Sequence, residues 1–150
     1  MTGPSSAWIV LKFGGTSVST LANWVNIERV ASERLRSGAR VLMVHSAVTG
    51  ITDSLERLLD AAIGQGHEEE LRAIEDRHRR LAAEIGVPLG EDVERHLAEL
   101  REIAAGVALM REVSERTRAR VLAMGELMAT RIGARFLTAH GLEVAWADAR

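Results

Sequence analysis

The sequence predicts an α/β fold: three layers (αβα), a mainly parallel sheet and a helical insertion. Three observations predict it. Two short apolar runs, "WIVLKF" at Trp8–Phe13 and "RVLMVH" at Arg40–His45, flank a stretch with helical apolar spacing. Two long amphipathic stretches then follow one another with no strand between them. A third apolar run, "LEVAW" at Leu142–Trp146, comes after one more helical stretch.

Each element follows from local chemistry. The apolar residues of "WIVLKF" are continuous rather than alternating, as in a strand covered on both faces. Gly14 and Gly15 end it. A helix then starts near Ser19 or Thr20, either of which can cap it. It presents Leu21, Trp24, Ile27, Ala31 and Leu35 on one face, and Gly38 closes it. Strand, helix and strand at this spacing form a βαβ unit, which requires parallel strands and a right-handed crossover. After the loop "SAVTGIT" (Ser46–Thr52), Thr52 caps a helix with Leu55, Leu58, Leu59, Ala62 and Ile63 inward, and Gly64 ends that helix.

From His67 to Ile85 the chain is strongly charged, with Leu71, Ile74, His78, Leu81 and Ile85 on one stripe. "GVPLG" breaks the pattern, and Val93, Leu97, Leu100, Ala104 and Val107 form the next stripe, running towards Met110. These two helices read as a hairpin inserted at about residues 67–113. Their charges read as solvated faces, and His78 reads as a packed residue rather than a ligand. A helix from about Ser114 to His140, open to a break near Gly125, leads to Gly141 and the third strand. An α/β domain that stops on a core strand, with no helix to cover it, reads as truncated. The expected organisation is a tail at residues 1–7 and the start of one domain at 8–150.

Composition narrows the function classes. The chain has 150 residues, 47% hydrophobic and 27% charged, enough to bury a real core. Its net charge of −2 gives no electrostatic case for nucleic acid or anionic lipid, so neither is an expected partner. With two Phe, three Trp and no Tyr, a base-stacking surface is not expected. There is no Cys, which suits a reducing compartment, and no apolar run of membrane-spanning length. "MTGPSSAW" lacks the form of a signal peptide, so a cytoplasmic location is expected.

Three constellations could carry chemistry. Lys12 is the only lysine among nineteen Lys and Arg residues. It stands before Gly14 and Gly15, with the hydroxyls of Thr16, Ser17 and Ser19 following. Glycines admit close backbone approach, a following helix directs its N–H groups and positive end back to the same place, and lysine adds a mobile point charge. This is a plausible phosphate cradle, although it lacks the spacing of a P-loop or dinucleotide fingerprint, and a plain tight turn is the alternative. The second constellation is Ser46, Thr49, Gly50, Thr52 and Asp53, after the second strand. Ligands of parallel sheets bind beyond the carboxyl ends of the strands, so both loops open on one edge. Thr52 or Asp53 serves there as ligand contact, helix cap or both. The third is Glu126, a carboxylate in the apolar "VLAMGELMAT". It needs a partner there, either an arginine of the fold or the amino group of a ligand.

"KFGGTS" at Lys12–Ser17, "SAVTGITDSL" at Ser46–Leu55 and "GELMAT" at Gly125–Thr130 together resemble the aspartokinases of the amino-acid kinase superfamily, in order and rough spacing. The resemblance runs from Trp8 to the closing "WADAR". It implies an amino-acid-kinase fold and ATP-dependent phosphorylation of the side-chain carboxylate of L-aspartate, with Mg²⁺ accompanying ATP and no metal ligand assignable in this chain. It implies that Lys12 bridges the ATP phosphates and stabilises the transferring phosphoryl group. Gly14 and Gly15 would donate backbone N–H groups, with Thr16 and Ser17 alongside. Ser46 and Thr52 would line the aspartate site, and Glu126 would hold the substrate α-ammonium. A homo-oligomer is also implied. Ala129 stands where the family usually has Ser, and Asp53 where Asn is common. The family's later Gly-rich segment, substrate-carboxylate arginine, adenine pocket and regulatory domains have no counterpart here. The chain therefore reads as the N-terminal portion of an aspartokinase catalytic domain, inactive alone. The competing readings are an amino-acid kinase with another acceptor, or a non-catalytic helical interaction module.

Overall fold

The computed structural model describes residues 7–64 and 66–150, so most of the expected N-terminal tail lies outside the described residues. β1 (Trp8–Phe13) and β2 (Arg40–His45) pair in parallel, from Trp8 against Arg40 to Phe13 against His45. α1 (Leu21–Arg36) joins them, completing the βαβ unit. Its cap is Thr20, whose hydroxyl accepts from the Asn23 N–H at 3.4 Å. A 3₁₀ turn at Gly15–Val18, absent from the sequence reading, separates the glycines from α1.

The continuous apolar strands imply cover on both faces, yet burial alternates along them. Phe13, Met43 and His45 turn towards the helical core. On the other face Trp8, Val10, Leu42 and Val44 are 59%, 61%, 50% and 48% exposed. Among the described residues nothing covers that face.

α2 (Ile51–Ile63), α3 (Glu68–Glu84), α4 (Glu91–Met110) and α5 (Glu115–Ala139) follow. Their apolar stripes meet in one cluster that includes Leu55, Leu58, Leu71, Ile74, Leu97, Leu100, Met128 and Phe136. α3 and α4, the residues read as an insertion, thus share the core of α2 and α5. His78 lies fully inside it, its Nδ1–H donating to the Ile74 carbonyl at 2.8 Å. Its Nε2 has no partner among the described residues, and burial holds its pKa below the ordinary value. No described helix is long and apolar enough to cross a membrane.

Three expectations need correction. The cap of α2 is Gly50, not Thr52, because a left-handed φ of 81° there brings the helix in two residues earlier. Thr52 is the second helical residue. α5 is unbroken, since Gly125 is buried against loop and helix side chains that a larger residue would displace. The third strand does not form. Residues 142–146 keep the alternation of a strand, and Leu142 and Val144 pack against the core. They join no ladder, and the sheet has two strands among the described residues. Trp146 instead donates its indole N–H to Thr130 Oγ1 at 3.0 Å.

Candidate active site

Two loops leave the carboxyl ends of β1 and β2 on the same edge. Lys12 precedes the first loop, paired with Val44 on the uncovered face, and its side chain is exposed. The two glycines that follow have different reasons. Gly14 has φ −79° and ψ 172°, a conformation open to any residue. A Cβ there would meet nothing within 4 Å. Among the described residues no group demands glycine at this position. At Gly15 a Cβ would lie 2.7 Å from the Ala47 carbonyl oxygen and 3.3 Å from the Thr49 nitrogen, so glycine lets the two loops touch.

The rest of the first loop is tied down. The Ser17 N–H bonds the Gly14 carbonyl at 3.0 Å, so it is spent within the turn. Asn23 Nδ2 donates to the Thr16 carbonyl at 2.8 Å, and the buried Trp24 indole N–H donates to the Val18 carbonyl at 3.0 Å. The Thr16 side chain is exposed and Ser17 half-buried. Ser19, expected to offer a hydroxyl to an anion, is buried and turned inward. Its hydroxyl lies 2.6 Å from the Gly15 carbonyl and 3.1 Å from both the Thr49 nitrogen and Thr49 Oγ1. A carbonyl only accepts, so the Ser19 proton goes to Gly15. The Thr49 N–H donates to Ser19 Oγ, whose hydroxyl also lies within reach of Thr49 Oγ1, and one hydroxyl clamps the loops together.

In the second loop the Ser46 N–H bonds the Phe13 carbonyl at 3.1 Å, extending the ladder by one residue. Its carbonyl lies 2.9 Å from His45 Nδ1, which places the ring proton on Nδ1. The His45 ring meets Trp24 edge to face at 5.5 Å. Burial lowers the His45 pKa, against the opposing pull of the Ser46 carbonyl and the Glu126 charge. Glu126, half-buried on α5, accepts from the Ala47 N–H at a long 3.4 Å. No arginine pairs with it among the described residues. Gly125 brings α5 this close, since a Cβ there would sit 3.0 Å from the Ala47 Cβ.

Ser46 and Glu126 are thus gathered around Ala47, and Gly15 touches the same loop. Thr52 stands apart on the exposed first turn of α2. Sequence reasoning missed two supports. Arg77 donates to the Ser19 carbonyl at 3.3 Å, and Glu84 accepts the Leu21 N–H at 2.9 Å, fastening α3 to the first loop and to the start of α1. In sequence both are ordinary charges on an amphipathic helix, and no local signal marks them.

A lysine beside an unobstructed glycine loop, with a carboxylate across the adjoining loop, is an arrangement for binding an anion and a cation side by side. The amino acid kinase family model matches residues 7–150, and the chain belongs to that family. It is 32% identical to the aspartokinase of Chlamydia muridarum over 95% of this chain and 30% of that protein. It is also 32% identical to the chloroplastic aspartokinase 2 of Arabidopsis thaliana, over 93% of this chain and 26% of the relative. It superposes on Escherichia coli aspartokinase III in complex with aspartate and ADP with a TM-score of 0.82 at 27% identity, covering 97% of this chain and 32% of that one. The chain spans about a quarter to a third of the length of these relatives.

Proposed function

We propose that this chain forms the phosphate-facing and amine-facing part of a kinase that transfers the γ-phosphoryl group of ATP to the side-chain carboxylate of L-aspartate. In that reading residues 8–150 are the N-terminal part of the kinase domain, with α3 and α4 as its helical insertion. A β-carboxylate oxygen attacks the γ-phosphorus, the bond to the bridging oxygen of ADP breaks, and 4-phospho-L-aspartate leaves with ADP. No proton need be abstracted from an ionised carboxylate, so the chain's task is positioning and charge neutralisation.

The observation that carries the reading is Gly14 beside Lys12. None of the described residues requires glycine at 14, and the sequence's one lysine stands two residues before it. Close approach of a phosphate oxygen to the Gly14 amide accounts for the glycine. A compact ammonium that follows the moving phosphoryl group accounts for the lysine. Thr16 and Ser17 lie alongside as hydroxyl donors. Glu126, with only a long backbone contact and no arginine paired to it among the described residues, suits the substrate α-ammonium, with Ser46 next to the Ala47 that it bonds, while Thr52 would reach the acceptor from the first turn of α2, outside that cluster. Mg²⁺ would arrive with the nucleotide, and no residue here is assigned to it. The names of the similar proteins support the same substrates. A homo-oligomeric, cytoplasmic enzyme of amino-acid biosynthesis, serving lysine and diaminopimelate formation, completes the proposal.

The test is Glu126→Gln in the full-length polypeptide, with calorimetric titration of both substrates. Aspartate binding should weaken roughly tenfold or more, the worth of a charge-assisted hydrogen bond of about 1.5–3 kcal/mol, while ATP binding holds. Loss of ATP affinity with aspartate affinity intact would overturn the assignment. It would favour an acceptor without an α-ammonium.

A further inference from the structure

A second charged constellation lies outside the two loops, where the α3–α4 turn meets α5. Arg131 and Arg135 stand four residues apart on α5 and share one carboxylate, Asp92, in the first turn of α4. Arg131 Nε lies 3.2 Å from Asp92 Oδ2, and Arg135 Nη2 bonds Asp92 Oδ1. Asp92 Oδ1 also accepts the Val93 N–H at 2.8 Å, so the carboxylate takes hydrogen bonds from Arg135 and Val93 with the Arg131 charge beside it. Burial pushes the Asp92 carboxyl up, but the Arg135 bond and charge, with Val93 and Arg131, outweigh it and keep the group ionised.

Two guanidiniums against one carboxylate leave a net positive charge. Arg135 Nη1 has no acceptor among the described residues, and the Arg131 Nε–H is poorly directed at its neighbour. The positive charge is therefore only partly compensated inside the cluster. The Arg131 and Arg135 side chains remain 33% and 25% exposed. They open on a groove of about 440 Å³, bordered by Gly86, Val87, Pro88, Ala134 and Thr138.

The arginines are held in place. Gly90 has φ +88°, and a Cβ there would fall within the Arg135 guanidinium, 2.6 Å from its Nε. The guanidinium lies against the turn only because glycine leaves the space. Arg131 is stacked 3.4 Å from the Trp146 ring centroid, which fixes its plane. The positive end of α4 adds to the local potential. Three carboxylates oppose it nearby. Glu91 is in the same first turn, Glu94 is engaged by Arg79 at 2.7 Å, and Asp148, close enough to feel Arg131, is engaged by Arg150 at 2.8 Å.

We propose that this groove is a binding site for a small oxyanion, a carboxylate or phosphate group, gripped by the free guanidinium edges of Arg131 and Arg135. Planar forks fixed by a stacked ring and a glycine turn match oxyanion geometry. The proposal is independent of the kinase reading, because none of these residues belongs to the two loops.

The test uses the 150-residue chain itself, with sodium phosphate, sodium acetate and sodium chloride at matched ionic strength. Two readouts are followed, the thermal midpoint and the side-chain Nε–H resonances of ¹⁵N-labelled protein. At about ten times its Kd, phosphate or acetate should raise the midpoint by roughly 3–5 °C over chloride. The Arg131 and Arg135 resonances should shift while that of Arg29, paired on the surface with Glu33, stays put. A shift with phosphate alone identifies a phosphate site, and one with acetate alone a carboxylate site. Arg135→Gln should abolish the effect. If that variant does not fold, the resonances of the unaltered chain decide. Equal midpoints in all three salts with unmoved Arg131 and Arg135 signals would overturn the proposal, leaving the cluster a staple between α4 and α5. An equal phosphate or acetate shift in a folded Arg135→Gln chain would overturn it as well.

Discussion

At the scale of single residues, the two adjacent glycines separate ligand binding from folding. A Cβ at residue 15 would press on the Ala47 carbonyl, and one at residue 14 would meet nothing within 4 Å. Gly15→Ala should destabilise the chain by about 1–3 kcal/mol, since backbone must give way. Gly14→Ala should stay within about ±0.5 kcal/mol in urea titrations while weakening ATP binding in the full-length polypeptide. Equal stability losses would remove the distinction. Lys12→Arg in the same polypeptide should lower kcat by about a hundredfold, on the order of 3 kcal/mol of transition-state stabilisation, with little change in the KM for aspartate. Near-normal turnover would make Lys12 structural. Lys12 and Glu126 stood out as candidates in sequence because each is an anomaly of type, a lone lysine and an acid among apolar residues, whereas the open space around Gly14 shows only in the structure. Ser19 was not, because a buried clamp and an exposed donor are both written as serine, and only the 2.6 Å bond to Gly15 tells them apart.

At the scale of elements, periodicity and caps placed β1, β2 and all five helices close to where they stand, because those signals are local. What failed depended on partners. Residues 142–146 alternate as a strand does but have no neighbour to pair with, and pairing is what makes a strand. The cap of α2 turned on a positive φ that the sequence "TGIT" permits without requiring. His78 shows how an element carries a pH response. Its folded pKa lies below the unfolded 6.5, so the unfolded chain binds the proton more readily. Stability is complete above pH 6.5 and falls as pH drops through 6.5 towards the folded value, by up to about 1.4 kcal/mol per pH unit for one histidine. His45 shifts in the same direction and adds to the slope. His78→Leu should remove one histidine's share while keeping the apolar stripe of α3. Urea midpoints at several values between pH 7.5 and 5 would show a flatter profile for the variant, and parallel profiles would rule His78 out as the source.

At the scale of the whole molecule, the exposed sheet face governs what the chain can do alone. Lys12 shares that face with Trp8, Val10, Leu42 and Val44, all about half exposed or more. An ammonium in water attracts an anion 4 Å away by only about 1 kcal/mol, against about 4 kcal/mol near a low-dielectric surface. Preorganised charge stabilises a transition state most where water is excluded, and water reaches Lys12, to which the proposed function gives that task. Under the kinase reading, Glu126 beside Ala47 would serve an ammonium, and no residue of these elements has been given to a carboxylate. Misplacement of bound reactants by about 1 Å already costs on the order of a hundredfold in rate. The 150-residue chain should therefore release no ADP above background in a coupled assay with ATP, Mg²⁺ and L-aspartate, although it folds. Its bare apolar face should bind a hydrophobic dye such as ANS, and Val10→Thr with Val44→Thr should reduce that signal without restoring turnover. Robust turnover by the purified chain would show that an exposed Lys12 suffices without cover over this face.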